Sequence, residues 1–389
     1  MRKDGLVRVL FSSLSALGHV HPLLPLALAC RDRGHEVRWA TGPDGCGRVE
    51  RAGIPAVPAG MTQADKLAAF WRRHPDVRAL PPQQWPDIMF PKLFGEVSAP
   101  PALADLLPLV TTWRPDVVVH DAAELAAPIA AAAVGVPHVT HGFGALLPEP
   151  RVRAAGDEVA PLWRRHGLEP RPYGGSYDHL YLDIYPPRLR SGEDDHVRAR
   201  QPLRPVPVDE ATDDALPAHL REEGRPLVYL TFGTVFNDNR AFRAALAAIR
   251  DLPVKVVVTV GPTGDPEAFG PQPSHVVVQR YVPQMRLLPS CDVVVSHGGS
   301  GTVLATLQLG IPQLCLPQAA DQFINAAAVA RSGAGLQIPP EEVEAAGVAA
   351  AVEVLLGDAA FRQHAQRVGD EIASMPSPDE VAVVLETLA

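Results

Sequence analysis

Two doubly wound α/β domains are predicted for this chain of 389 residues, and three observations lead there. A strand–helix–strand run opens the sequence. A second series of apolar strands restarts at Leu227. Between them, Pro186 to Pro226 is rich in proline and charge and lacks sustained periodicity. Short, almost wholly apolar runs are what parallel strands buried on both faces require. At ~150 residues per domain, the length also suits two domains.

The opening strand is Val7 to Phe11, followed by a Ser/Gly turn from Ser12 to Gly18. A helix is expected from Pro22 to Arg33. Leu23, Leu24, Leu26, Ala27, Leu28 and Cys30 contain the i, i+3, i+4 spacings of one face, Pro22 suits a first helical position and Gly34 a C-cap. The strand Glu36 to Ala40 follows, and a β-α-β unit makes its two strands parallel. Asp116 to His120 and Pro137 to Thr140 read as further strands around an Ala-rich helix at 122–134. Segments 60–100 and 145–190 are poorly periodic and read as long loops or short helices above the first sheet. In the second half the expected strands are Leu227 to Leu230, Val254 to Val260, His275 to Gln279, Cys291 to Ser296 and Gln313 to Leu316. This gives an N-terminal domain at 1–205, a linker at 206–225 and a C-terminal domain at 226–389, whose last helix is free to pack back on the first domain.

Composition excludes several classes. Apolar residues make up 47% and charged residues 20%, ordinary for a globular chain. The net charge is −9, without the Lys/Arg stripe that displaces counterions from nucleic acid, so no nucleic-acid partner is expected. Apolar stretches such as Ala122 to Val136 fall short of the ~20 residues of a membrane span. No basic region with a following apolar core and cleavage site precedes the first strand, so a cytoplasmic location without a membrane span is expected. Cys30, Cys46, Cys291 and Cys315 are scattered and read as small buried hydrophobes.

The sharpest local signal is the strand ending at Ser296, then His297-Gly298-Gly299-Ser300-Gly301-Thr302, then a helix through Leu309. Glycines let the backbone approach a ligand, Ser300 and Thr302 add hydroxyls, and a helix N-terminus offers free N–H groups with partial positive charge. The turn therefore suits a phosphate. No lysine follows a glycine, which excludes a Walker A loop. The dinucleotide fingerprint fails at its third glycine, where Leu304 stands, although Asp321 occupies the place of a ribose-binding acid.

Taken together, Arg280-Tyr281-Val282-Pro283-Gln284, His297 to Thr302 and Pro317-Gln318-Ala319-Ala320-Asp321-Gln322 resemble the donor signature of family 1 inverting glycosyltransferases of the GT-B fold. Gly18-His19-Val20-His21-Pro22, Arg33-Gly34-His35-Glu36-Val37 and Phe232-Gly233-Thr234 match that family too, most closely its bacterial subgroup that decorates natural products such as antibiotics. The resemblance implies two facing Rossmann-like domains with a cleft between them, acceptor-binding in the first and nucleotide-sugar-binding in the second. It implies that Tyr281 stacks on the nucleobase and that the Val282 backbone bonds the base edge. His297, Gly298, Gly299, Ser300, Gly301 and Thr302 would hold the diphosphate with Thr234, while Asp321 and Gln322 would bind sugar hydroxyls. Family members using UDP-sugars usually carry a Glu where this chain has Ala305. Thymidine nucleotides lack the 2′-hydroxyl that such a Glu grips, so a dTDP-sugar is expected, with UDP the alternative. No cofactor beyond this co-substrate and no metal is implied, and a homodimer is among the assemblies allowed.

His19, at the end of the first strand, suits general base work, for which an imidazole is the usual side chain near neutral pH. Asp121, at the end of another strand, would fix its tautomer as in a triad. The resemblance places the family's catalytic pair at these two positions. Glu124 competes with Asp121 for the orienting role, and His21 with His19 for the acceptor. Tyr281 also has a reading as a core residue. The expected reaction is hexosyl or deoxyhexosyl transfer to a hydroxyl of a hydrophobic aglycone. Trp71, Phe70, Trp85, Phe90, Phe94 and Met89 fall in the segment assigned to its pocket, and equally suit packing. The alternatives are a C-glycosyltransferase of the same fold, a metal-dependent hydrolase built on His19, His21, His120 and Asp121 with His138 and His141, and a non-catalytic protein that binds nucleotide sugars.

Overall fold

The computed structural model describes residues 6–192, 194–208, 224–233, 240–261 and 264–389. Thr234 and most of the expected linker lie outside the described residues. The chain divides into two compact units. The first comprises Met1–Tyr185, Ser191–Val208 and Met375–Ala389, and the second Pro186–Arg190 and Asp209–Ser374.

In the first unit, seven strands are β1 (Arg8–Ser13), β2 (Glu36–Thr41), β3 (Ala56–Pro58), β4 (Val117–Asp121), β5 (His138–His141), β6 (Leu180–Asp183) and β7 (Arg200–Pro202). They form one sheet in the order β3-β2-β1-β4-β5-β6-β7, with every pairing parallel. Val117, Val118 and Val119 are buried on both sheet faces, as their unbroken apolar run demands. The order reverses between β1 and β4, and the crevice outside the carboxyl ends of two such strands is where this architecture binds ligands.

The two segments read as long loops or short helices are largely helical. Gln63–Arg73 is a helix capped by the Thr62 side chain, and Glu149–Arg165 is a helix of 17 residues. A near-continuous helical run leads from Trp85 through a π-helical stretch, Phe90–Ser98, into Ala99–Trp113. Its prolines, Pro108 inside the last helix among them, imitate loop punctuation, and the π-helical stretch shifts the apolar face away from a 3.6-residue repeat. By length and composition alone the run Pro82–Trp113 is long and apolar enough to cross a membrane. That exceeds the apolar lengths expected from sequence. Here its Leu103, Leu106 and Val110 are buried in the core with Leu10, Val118 and Ile129, the position of a core helix.

The expected helix at 122–134 begins only at Ala127. Upstream of it, side-chain carboxylates take the backbone amides: Asp121 accepts from Ala123, and Glu124 from Ala126 and Ala127. The last helix, Pro378–Leu388, opens with a capping box from Ser377 and Glu380. It belongs to the first unit, where Glu386 meets Arg33 at 2.7 Å and His35 at 3.0 Å.

The second unit carries β8 (Leu227–Thr231), β9 (Lys255–Thr259), β10 (Val276–Gln279), β11 (Val293–Ser296), β12 (Gln313–Cys315) and β13 (Gly335–Gln337). Their order is β10-β9-β8-β11-β12-β13, again wholly parallel. Val228, Leu230, Val256, Val258, Val293 and Val295 pack against Phe242, Ile249 and Val352 of the covering helices. The order reverses between β8 and β11, so each unit repeats the same switch point.

Candidate active site

In the first unit, β1 ends at Ser13 and a short helix, Leu17–Val20, lifts His19 over the carboxyl end of the sheet. Asp121 ends β4 next door. Nδ1 of His19 lies 3.2 Å from Oδ1 of Asp121, and the imidazole side chain is 16% exposed while the carboxylate is wholly buried. Burial alone would raise the Asp121 pKa. The His19 charge and hydrogen bond, with the Leu14 and Ala123 amides, outweigh burial and hold it below the ordinary value. An ionised Asp121 accepts from Nδ1–H, leaving Nε2 of the same ring to take a proton.

Aromatic rings flank the imidazole: Phe94 at 5.9 Å and Phe143 at 5.0 Å between centroids. Phe143 follows β5 and carries no sequence signal of its own. Of the aromatics expected near the acceptor, Phe70 and Phe90 are buried packing residues, and Trp71, Trp85 and Met89 pack on the same small cluster as Phe70. Glu124 does not reach His19 by any hydrogen bond found among the described residues. It accepts from Ser12 Oγ at 2.9 Å and from the two helix amides, and burial pushes its pKa up to about 7.

The histidines of the hydrolase alternative do not converge on His19. His120 Nε2 lies 3.2 Å from His138 Nδ1 and 3.1 Å from Thr140 Oγ1, while His141 Nδ1 contacts the Gly142 carbonyl. Burial lowers the pKa of His120 and His141 to about 4. Among the described residues, no group of three or more His, Cys, Asp or Glu side chains is arranged to hold a metal ion.

In the second unit, β11 runs into His297-Gly298-Gly299, and the helix Ser300–Gln308 starts with Gly299 as its N-cap. A glycine cap puts no side chain over the first amides, which leaves the helix terminus open to an anion. The His297 ring fills the space that two β-carbons would occupy. A Cβ on Gly233 would lie 2.8 Å from Cε1 and one on Gly299 2.6 Å from Nε2. Desolvation lowers the His297 pKa to about 4, against Asp321 and the Thr231 backbone, which raise it. The ring is therefore neutral near pH 7 and offers an N–H rather than a charge. Its Nδ1 is buried without a hydrogen-bond partner among the described residues.

The loop after β12 completes this site. Asp321 Oδ2 accepts from Ser300 Oγ at 2.7 Å and from Asn325 Nδ2 at 2.9 Å. Asn325 also donates to the Gly298 carbonyl at 3.0 Å, tying loop, turn and helix together. Sequence reasoning missed Asn325, because only the fold brings it to residues some 25 positions away. Ala320, beside Asp321, has φ 56, a left-handed conformation that costs of order 1–3 kcal/mol and concentrates at functional sites. Gln322 is buried, with Oε1 accepting from the Gln318 and Ala319 amides. Val282 and Ala305 share one buried apolar cluster, and Tyr281, next to Val282, is partly exposed.

Comparison with known proteins agrees with both halves. Family models described as "Erythromycin biosynthesis protein CIII-like", C-terminal and N-terminal domains, match residues 243–388 and 93–168. The elloramycin glycosyltransferase ElmGT of Streptomyces olivaceus is 34% identical over 98% of this chain and 97% of its own. The crystal structure of the glycosyltransferase SnogD from Streptomyces nogalater has a TM-score of 0.78 at 31% identity, covering 99% of this chain and 100% of that one. The glycosyltransferase SsfS6 of Streptomyces sp. SF2575, solved with thymidine diphosphate, has a TM-score of 0.79 at 27% identity over 98% and 99%. The chain belongs to the family 1 glycosyltransferases of the GT-B fold, in the erythromycin biosynthesis protein CIII-like group of antibiotic-modifying enzymes.

Proposed function

We propose that this glycosyltransferase moves a deoxysugar from a dTDP-sugar to a hydroxyl of a hydrophobic natural-product aglycone, inverting the anomeric carbon, with His19 as general base. Nε2 of His19 takes the hydroxyl proton as the acceptor oxygen attacks the anomeric carbon, and the bond from that carbon to the diphosphate oxygen breaks. Asp121 holds Nδ1–H and stabilises the imidazolium. The leaving dTDP is held by the helix terminus at Ser300–Thr302 and by neutral His297 rather than by a metal ion. Thr234, Tyr281, Val282, Asp321 and Gln322 keep the roles that the family resemblance implies.

The observation that carries this reading is the buried, ionised Asp121 seated on His19 at the switch point of the first sheet. The dTDP assignment rests on Ala305, which has no carboxylate to hold a 2′-hydroxyl, and draws support from the thymidine diphosphate bound to SsfS6. The names of relatives, ElmGT among them, support an antibiotic aglycone as acceptor. Thermal melting with TDP and with UDP tests the donor. A larger rise with TDP is expected; equal rises would overturn the thymidine preference, and no rise with either would overturn nucleotide binding.

A further inference from the structure

Asn325 is a wholly buried amide, one turn into the helix Gln322–Ser332. Three acceptors lie within 3.0 Å of its Nδ2: the Gly298 carbonyl at 3.0 Å, Ser300 Oγ at 2.9 Å and Asp321 Oδ2 at 2.9 Å. A carbonyl and an ionised carboxylate only accept, so the amide must turn its nitrogen toward them. Ala326, Ala328 and Val329 of the same helix are buried apolar residues. One more would seal that face without the cost of desolvating an amide. The amide at this position therefore has a task besides packing.

Ser300 Oγ accepts from Asn325 and gives its one proton to Asp321 Oδ2 at 2.7 Å. That proton is engaged within the protein, so Ser300 addresses an anion at the helix terminus through its backbone N–H. Asp321 Oδ2 thus takes one bond from the first residue of the helix Ser300–Gln308 and one from the helix Gln322–Ser332. The loop before the second helix is pinned on both sides of left-handed Ala320. The Asn325 amide donates to the Asp321 carbonyl at 3.0 Å, and Gln322 Oε1 takes the Gln318 and Ala319 amides. The turn itself lies against this helix, for a Cβ on Gly298 would stand 3.2 Å from the Gln322 carbonyl oxygen.

We propose that Asn325 is a positioning residue for recognition of the donor sugar. With Ser300 Oγ it fixes the Asp321 carboxylate, and through it the sugar hydroxyls, in register with the diphosphate turn. This rests on the proposed function in assigning Asp321 to the sugar. Transfer requires the anomeric carbon to be held between acceptor oxygen and diphosphate, and a misplacement of ~1 Å costs ~10²-fold in rate. A carboxylate bonded to the first residue of the diphosphate helix moves with that helix rather than with its own loop.

The test measures binding of dTDP and of dTDP-glucose to the full chain by calorimetry at pH 7. Asn325→Leu, similar in volume and without N–H groups, should weaken dTDP-glucose about tenfold and dTDP less than threefold. Ser300→Ala should weaken dTDP-glucose about threefold and leave dTDP within twofold. In an Asp321→Ala background, Asn325→Leu should weaken dTDP-glucose by less than a further twofold, because it acts through the carboxylate already removed. Should Asn325→Leu fail to fold, Ser300→Ala alone and with Asp321→Ala makes the same comparison. Equal losses for the two ligands would make Asn325 a support of the turn only, and no loss for either would make it packing only. Either result overturns the proposal. So does a full further loss in the Asp321→Ala background, a large loss of dTDP affinity in Ser300→Ala, or a wild type that binds dTDP but not dTDP-glucose. A wild type that binds neither would instead overturn the proposed function.

Discussion

Asp121 divides its two carboxylate oxygens between the imidazole and the backbone. Oδ1 faces Nδ1 of His19 at 3.2 Å and the Ala123 amide at 2.7 Å, while Oδ2 takes the Leu14 amide at 2.9 Å. The amides fix the carboxylate whether or not the imidazole is charged, so it orients the ring rather than following it.

Asp121→Asn should therefore leave the fold largely in place and break the tautomer. One amide nitrogen must face either Nδ1 or a backbone N–H, and kcat should drop by at least ~10²-fold. Stability carries a second signature. The folded pKa lies below the ordinary 3.8, so the contribution of Asp121 is present above about pH 4 and is lost as pH falls through the folded value. Urea midpoints from pH 5 down to pH 2.5 should show that acid loss in wild type and less of it in the variant.

Glu124 has the opposite sign. Its pKa rises from 4.5 unfolded to about 7 folded, so stability is lost as pH climbs between those values. The loss is at most about 3 kcal/mol, at ~1.4 kcal/mol per pKa unit. His120, His141 and His297, lowered to about 4, gain stability over much of the same range. Only the difference between wild type and Glu124→Gln isolates the carboxyl. Urea midpoints at pH 5 and pH 8 should show the variant gaining relative to wild type at the higher pH.

Gly299→Ala is a steric probe of the diphosphate turn. Gly299 has φ −64 and ψ 138, which alanine adopts freely, so the only conflict is the 2.6 Å approach of its Cβ to His297 Nε2. Displacing the ring should weaken dTDP binding at least tenfold by calorimetry, at a stability cost of ~1–3 kcal/mol. Gly233→Ala would add backbone strain, since Gly233 has φ 72.

The central strands were legible because β1, β4, β8, β9 and β11 carry short apolar runs buried on both faces, valine-rich in β4, β9 and β11. The three-residue strands Ala56–Pro58 and Gly335–Gln337, and Arg200–Pro202 at the sheet edge, are too short and too exposed to leave a period of two. The helix Ala99–Trp113 hid behind Pro100, Pro101 and Pro108 and the π-helical turn before it. At the site, His19, Asp121 and the 297–302 turn stand at strand ends and announce themselves locally. Asn325 and Phe143 matter only through residues distant in sequence, so no local pattern marked them. The Gln322 side-chain oxygen also accepts from the Gln318 and Ala319 amides, a contact that no pattern in the sequence marked.

The most direct measurement of the account is sugar transfer from a dTDP-sugar to an acceptor hydroxyl by wild type and His19→Ala, with dTDP affinity measured on both. The base role predicts a rate lower by ~10²–10⁴-fold in the variant with dTDP affinity within twofold, because His19 belongs to the first unit and the diphosphate turn to the second. Equal turnover by the two proteins would contradict it.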